Sequence, residues 1–319
     1  MKLTLYAYRF EFRALEPVHF APGAAANTFR GAFGQIFRRM SCRPECAGAK
    51  SCEWRRQCPY ARLFEPEWTG GPSGFADAPR PFVIRAASLD GCRFAAGDRF
   101  ALDVHVFDQG EPLLEYLVLS FLQLAAEGIG AARGRVAIES VHALNEARHA
   151  GVCVYRDGTG FAPNARTLIE LPLAGPTEPP LEGAILRFVT PTELKVEGRV
   201  LENAPFRTVF SRARDRVAAI STFYGGAVLE LDFRAMGGRA AAIRTVSSRL
   251  KWVDGKRRSS RTGQVHPLGG FVGEVRYSGD VAEFLPILRA AYWTGVGRQT
   301  VWGKGVVEVI PIPQIAGAA

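Results

Sequence analysis

Four cysteines, Cys42, Cys46, Cys52 and Cys58, fall within seventeen residues, separated by three, five and five others. Spacers this short let four thiolates converge on one tetrahedral ion without regular structure, the chemistry of a closed structural metal site. Zinc suits four sulfurs on loop-like spacing. A [4Fe–4S] cluster is the alternative, because Cys58-Pro59 ends the run as ferredoxin motifs end, although the spacing is not theirs. Lys50, Arg55 and Arg56 sit within or beside the ligand span, so the same loop presents charge to a polyanion. Cys92 and Cys153 stand apart and read as small buried hydrophobes.

Basic residues concentrate in two further places. Arg207, Arg212, Arg214 and Arg216 crowd one predicted helix, with Asp215 the only acid among them. Lys251, Lys256, Arg257, Arg258 and Arg261 crowd one predicted loop, opposed by Asp254 alone. The chain carries 40 Lys+Arg against 31 Asp+Glu, a net charge of +9. An arginine-rich composition raises charge by itself, but clustering points to a polyanionic partner, most often nucleic acid.

The elements that must hold these groups follow from periodicity. At 319 residues, 47% hydrophobic and 22% charged, two domains of ordinary size are expected. No apolar run approaches the roughly 20 residues that span a bilayer. The N-terminus alternates like a strand and lacks a signal-peptide cleavage site, so a cytoplasmic protein is expected, where clustered thiols hold metal more often than disulfides. Residues 2–14 read as a strand, with Leu3, Leu5, Ala7 and Arg9 on one face and Tyr6, Tyr8, Phe10 and Phe12 on the other. Asn27 is expected to cap a helix from Thr28. A Gly/Pro loop (66–81), strands at 82–88 and 98–107, a helix opened by Glu111-Pro112, and a strand at 135–143 follow. The second half repeats this order: a strand at 184–190, a helix from Asn203/Pro205 to Tyr224, strands near 240–252 and 269–277, a helix capped by Asp280, and a strand at 305–310. The expected class is therefore α+β, two tandem ferredoxin-like (RRM-like) βαββαβ domains. The first covers 1–165 with a Cys-rich metal-binding insertion at about 41–66. A linker spans 166–182, and the second domain covers 183–319. Only the order of elements repeats.

Residues 256–277 and 294–305 resemble the C-terminal domain of CRISPR repeat-processing endoribonucleases of the RAMP superfamily. That family carries a glycine-rich loop near its C-terminus, two G-x-G pairs several residues apart, matched here by Gly295, Gly297, Gly303 and Gly305. Residues 27–39 (NTFRGAFGQIFRR) are similar to the helix-opening segment of one branch, and the cysteines running into CPYARLFEP resemble an insertion of that branch. A glycine-rich turn lets backbone N–H groups approach an anion, with Arg298 and Lys304 adding charge; alone, the same glycines equally mark tight turns.

The resemblance implies an endoribonuclease that cuts precursor CRISPR RNA without metal. A ribose 2′-hydroxyl attacks the adjacent phosphate, leaving 2′,3′-cyclic phosphate and 5′-hydroxyl ends. Such chemistry uses a general base, a general acid and positive charge at the phosphorane. Relatives place a histidine on or near the first helix; here Gln35 stands where it is expected. His19 is the candidate base, Tyr6 or Tyr8 the acid or orienter, and Arg30 or Arg38 the phosphate holder. The expected RNA contacts are Arg207, Arg212, Arg216, Lys256, Arg257, Arg258, Arg261, His266 and the glycine-rich loop. His105, on a predicted strand, reads as a core or surface residue, and His142 and His149, near a strand end and a loop, carry no partner signal. Repeat RNA and other subunits of a CRISPR effector complex are the expected partners. The alternative is a non-catalytic repeat-binding subunit.

Overall fold

In the computed structural model the alternating N-terminus forms β1 (Lys2–Ala14), central to a seven-stranded sheet. The structure describes residues 1–43, 45–46, 48, 51–67, 78–108, 110, 113–163, 165–174, 179–225, 229–258 and 263–314. After β1 come β2 (Val18–His19), α1 (Ala25–Ser41), α2 (Pro59–Phe64), β3 (Phe82–Arg85), β4 (Arg93–Phe94) and β5 (Arg99–Val106). Then come α3 (Leu113–Glu127), β6 (Val136–Leu144), β7 (Ala150–Arg156), β8 (Gly160–Phe161) and β9 (Leu168–Pro172). The sheet order β3-β5-β1-β6 is the ferredoxin-like arrangement, extended by β7 and β8, with β9 pairing β1.

Phenylalanine builds this core. Phe10 on β1 meets Phe121 on α3 at 4.5 Å between ring centroids, and Phe121 meets Phe33 on α1 at 4.9 Å. Helical spacing on α1 buries Phe29, Phe33, Ile36 and Phe37, so both helices lie on one face of the sheet.

The second half forms β10 (Leu181–Thr192), β11 (Leu194–Val196), β12 (Arg199–Leu201), α4 (Phe206–Tyr224), α5 (Phe233–Ala240) and β13 (Arg244–Val253). It continues with β14 (Lys256–Arg258), β15 (Val265–Pro267), β16 (Gly270–Ser278), α6 (Leu285–Thr294) and β17 (Val307–Pro313). Its sheet runs β13-β16-β10-β17, the same ferredoxin-like order. Phe206 and Phe210 of α4 pack on Phe284, at 5.3 and 4.7 Å. The chain is thus α+β with tandem ferredoxin-like folds. It divides into two compact units, Thr4–Glu170 with Phe223–Gly225, and Met1–Leu3 with Leu171–Thr222 and Gly226–Ala319.

Several local expectations change. α1 begins at Ala25, not Thr28, because the carboxylate of Asp90 accepts from the Ala25 N–H at 2.9 Å; Asn27 lies inside the first turn. The strand expected to reach residue 88 stops at Arg85, where Ala87–Leu89 make a 3-10 turn. The expected linker 166–182 contains β9, whose Ile169 and Leu171 are buried on alternate positions. Asp280 does accept from the Ala282 N–H at 3.0 Å, but a 3-10 turn, Ala282–Phe284, precedes α6. The first sheet has seven strands rather than four because β7, β8 and β9 join it. Lys50, Glu111-Pro112, Gly226 and most of the 66–81 loop lie outside the described residues.

Candidate RNA interface

α6 ends at Thr294, and the twelve residues that follow return the chain to β17 through the glycine-rich loop. Two glycines there are fixed by close approach. A Cβ on Gly297 (φ 77°) would stand 2.4 Å from the Glu193 carbonyl oxygen, and one on Gly305 (φ 72°) 2.0 Å from that of Val296. No other residue fits these positions. The loop's N–H groups are largely spent on the protein: Val296 donates to Gly305 at 2.8 Å, Arg298 to Glu193 at 3.1 Å, and Gly305 to Pro191 at 3.1 Å. Tight turning therefore accounts for much of the glycine pattern, and side chains carry the charge.

The side chains around the loop form one network. Glu193, between β10 and β11, is 5% exposed. Its carboxylate accepts from Arg298 at 2.8 Å and from the Gln299 side-chain amide at 3.1 Å, with Lys195 at 4.0 Å. The same Gln299 amide donates to the Pro267 carbonyl at 2.7 Å, tying the loop to β15. Arg257 on β14 lies over the Trp302 ring at 4.7 Å and pairs across the hairpin with exposed His266.

The structure distributes the expected RNA contacts unevenly. The predicted basic loop is mostly strand, and Lys256 on it is exposed. Arg258 is described only in its backbone, and Arg261 lies outside the described residues. Arg207 is exposed on α4, while Arg212 donates to the Lys195 carbonyl at 2.8 Å and remains exposed. Arg216 donates to the Thr294 carbonyl at 2.7 Å, where it caps the C-terminus of α6. Lys304 is buried, which removes its ammonium from the loop surface. Burial follows from the close return of the chain at Gly305.

In the first unit the candidate catalytic residues occupy three surroundings. His19 ends β2, opposite Arg93, and its carbonyl accepts from the Ala131 N–H at 3.3 Å. Phe20, next in sequence, packs 5.3 Å from Phe29, the neighbour of Arg30. Tyr8 is buried beneath the start of α3, its ring 6.2 Å from that of half-buried Tyr6. Arg30 lies over Phe64 at 5.6 Å and Arg38 over Tyr60 at 5.8 Å, so both face α2. Burial and then Glu65 raise the Tyr60 hydroxyl above its ordinary value, partly opposed by Arg38 and Arg30. Gln35 is exposed on α1.

The four cysteines line one small cavity with Arg38, Arg55 and Tyr60. Arg43 lies over the Trp54 ring at 4.7 Å, and the Cys58 N–H donates to the Trp54 carbonyl at 2.9 Å, folding the segment on itself. Burial, then the neighbouring Cys58 and Cys46, push the Cys42 thiol up to about 12. A cation among these sulfurs would reverse that shift, and a set of four thiols is the donor chemistry of zinc or an iron–sulfur cluster. Among the described residues, however, no three His, Cys, Asp or Glu side chains already stand in a geometry that holds a metal ion.

Sequence reasoning missed three features. Glu193 reads as an ordinary surface acid; its only signal is its place immediately before the Leu194-Lys195-Val196 strand. Gln299 adopts a left-handed φ of 65° without being glycine or asparagine. His142 has partners after all: its ring nitrogens lie 3.2 Å from the Ser140 hydroxyl and 3.3 Å from the Gly151 carbonyl, and Ser140 donates to Glu11 at 2.6 Å. Such partners come from three strands, invisible to spacing along one.

Two family models match the chain: AF_1859_N, an N-terminal domain, over residues 3–167, and CRISPR-associated endoribonuclease Cas6 over residues 186–307. No curated protein matches it. A Cas6 (TTHB231) product complex is 19% identical and superposes with a TM-score of 0.55 over 96% of this chain and 100% of that one. Another structure of that protein, Thermus thermophilus Cas6 (TTHB231), is 17% identical at TM-score 0.52, over 97% of this chain and 99% of that chain. A chain of a partial Cas6-RT-Cas1--Cas2 complex is 14% identical at TM-score 0.53, and the match covers 99% of this chain but 47% of that longer one. These likenesses show a shared fold, and the two family models between them account for most of the sequence. Residues 186–307 thus belong to the family of the CRISPR-associated endoribonuclease Cas6, behind an AF_1859_N N-terminal domain.

Proposed function

We propose that this protein binds CRISPR repeat RNA and cleaves precursor CRISPR RNA without a catalytic metal. The observation that carries the reading is the join between the glycine-rich loop and the basic β14–β15 hairpin, made by Gln299 and by Arg257 over Trp302. It sets Lys256, Arg257, His266 and Arg298 around one loop, a rail for successive phosphates and a stacking edge for bases. Arg207 and Arg212, with Arg258 and Arg261, extend the expected contacts, and Gly295, Gly297, Gly303 and Gly305 shape the loop.

In the proposed cleavage His19 takes the 2′-hydroxyl proton, the 2′-oxygen bonds to phosphorus, and the bond from phosphorus to the 5′-oxygen breaks. The departing oxygen receives a proton, which leaves 2′,3′-cyclic phosphate and 5′-hydroxyl ends. Arg30 and Arg38 are proposed to hold the phosphate, and Tyr8, given its depth, to orient rather than donate. Cys42, Cys46, Cys52 and Cys58 are proposed to hold a structural zinc, or a [4Fe–4S] cluster, which when bound cross-links the segment after α1. The domain division at 165 and 183 belongs to the same proposal, as do a cytoplasmic location and partnership with other Cas subunits, the latter suggested by the Cas6-RT-Cas1--Cas2 likeness. No described helix is long and apolar enough to cross a membrane.

The test is incubation of the purified protein with its repeat RNA in EDTA. Cleavage at one site, lost in His19→Ala, is the expected result. One observation favours the second reading, a repeat-binding subunit that does not cut: the candidate catalytic residues lie in separate surroundings. Tight repeat binding with no cleavage would establish it.

A further inference from the structure

Glu193 is the only buried carboxylate among the described residues, at 5% exposed. Burying a carboxylate costs several kcal/mol unless donors surround it. Two of its donors, Arg298 and Gln299, come from the glycine-rich loop. Arg298 gives one guanidinium nitrogen at 2.8 Å, Gln299 one amide hydrogen at 3.1 Å, and Lys195 approaches to 4.0 Å. The backbone of the same residue receives the Arg298 N–H at 3.1 Å, and its carbonyl oxygen is what excludes a Cβ at Gly297. Gln299 then spends its second amide hydrogen on Pro267 of the hairpin, at 2.7 Å. One acid therefore orients both the loop and, through Gln299, the basic hairpin.

The geometry leaves Arg298 able to do two things at once. Its side chain remains 54% exposed while one terminal nitrogen is held by Glu193. A guanidinium has five N–H donors in a rigid fork, so anchoring one edge aims the other outward. We infer that Glu193 is a positioning residue for repeat RNA: its buried carboxylate fixes Arg298 and Gln299 so that the free edge of Arg298 meets a phosphate in register with the β14–β15 hairpin. This inference rests on the proposed RNA-binding role of the loop.

The sign of the effect makes the inference testable. Removing an acid beside a polyanion site should, by charge alone, tighten RNA binding and steepen its salt dependence. Positioning predicts the opposite. Affinity for repeat RNA is measured against KCl concentration for the whole protein and for Glu193→Ala, Glu193→Gln, Arg298→Ala and the Glu193→Ala/Arg298→Ala double variant, with melting temperature followed in parallel. Glu193→Ala should weaken binding about tenfold and lower the salt slope by about 0.7, one phosphate contact on a single strand. Glu193→Gln, which keeps the shape and one acceptor, should lie between it and the wild type, and it stands in should Glu193→Ala fold poorly. The double variant should bind no more weakly than Arg298→Ala, because both changes remove the same contact.

Tighter binding in either Glu193 variant, or additive losses in the double variant, would overturn the inference. Unchanged binding in the Glu193 variants while Arg298→Ala binds weakly would overturn it and leave the RNA-binding role of the loop standing. A wild-type protein that does not prefer repeat RNA over a scrambled sequence would remove that role as well.

Discussion

Arg9 lies opposite Asp103 across the β1–β5 pair and grips both carboxylate oxygens, at 2.8 and 2.9 Å. Arg13 and Arg99 share Glu139 nearby, and Arg187 pairs with Glu274 in the second unit. Arginine here closes sheet faces as well as offering charge outward, so a count of basic residues overstates the rail proposed for RNA. Arg216 and Lys304 make the same point, one spent on a helix end and the other buried. Tyr277 shows a buried polar group that is fully used: its hydroxyl donates to the Ala204 carbonyl at 2.5 Å. Burial raises its ionisation well above the ordinary range. The contribution is therefore complete below pH ~10, the unfolded value, and is lost as pH rises beyond it, because the unfolded chain ionises first. Tyr277→Phe should cost about 1 kcal/mol near neutrality and flatten the loss of stability above pH ~10. Urea unfolding at the two pH values checks both.

At the scale of elements, α1 depends on a residue far away in sequence. Asp90 takes the first N–H of the helix, so Asp90→Ala should destabilise the protein by about 1 kcal/mol, read as a lower urea midpoint with an unchanged slope. Asn27 looked like the cap because the rule for caps is local, and the true cap arrives by tertiary folding. Strands with strict alternation, such as residues 2–14, were legible for that same reason of locality, as was α3 with its long apolar run. β7 and β8 were not, because their residues are mostly exposed and carry little hydrophobic pattern. The glycine-rich loop was legible as a pattern but not as a network, since Glu193 lies 105 residues from Arg298. The cysteine segment is an element in its own right. Stoichiometric zinc without visible colour is expected in the purified protein, and Cys58→Ser should lose it; a brown protein absorbing near ~400 nm would indicate the iron–sulfur alternative. Chelation should loosen residues 42–58 to proteolysis while leaving the sheets folded.

For the molecule as a whole, net charge of +9 predicts RNA binding that falls steeply with salt. The double variant Lys256→Ala/Arg257→Ala should lower the slope of log affinity against log salt by about 1.4, two single-strand phosphate contacts, with cleavage position unchanged; filter binding across KCl concentrations measures it. The two sheets share one strand order without a shared sequence, because that order needs only a βαββαβ pattern and two helices on one face. Yet the two units differ in what completes them. In the second, β10 is paired on one side by β16 and on the other by β17, and the glycine-rich loop is strung between α6 and β17. Of the described strands, β17 is made last. The loop's partners Pro191, Glu193 and Pro267 are all made before it, whereas its C-terminal end runs directly into β17. Under the proposed RNA-binding role, a chain cut before Val307 is therefore expected to keep the loop's partners yet bind repeat RNA weakly, because one end of the loop is left unheld.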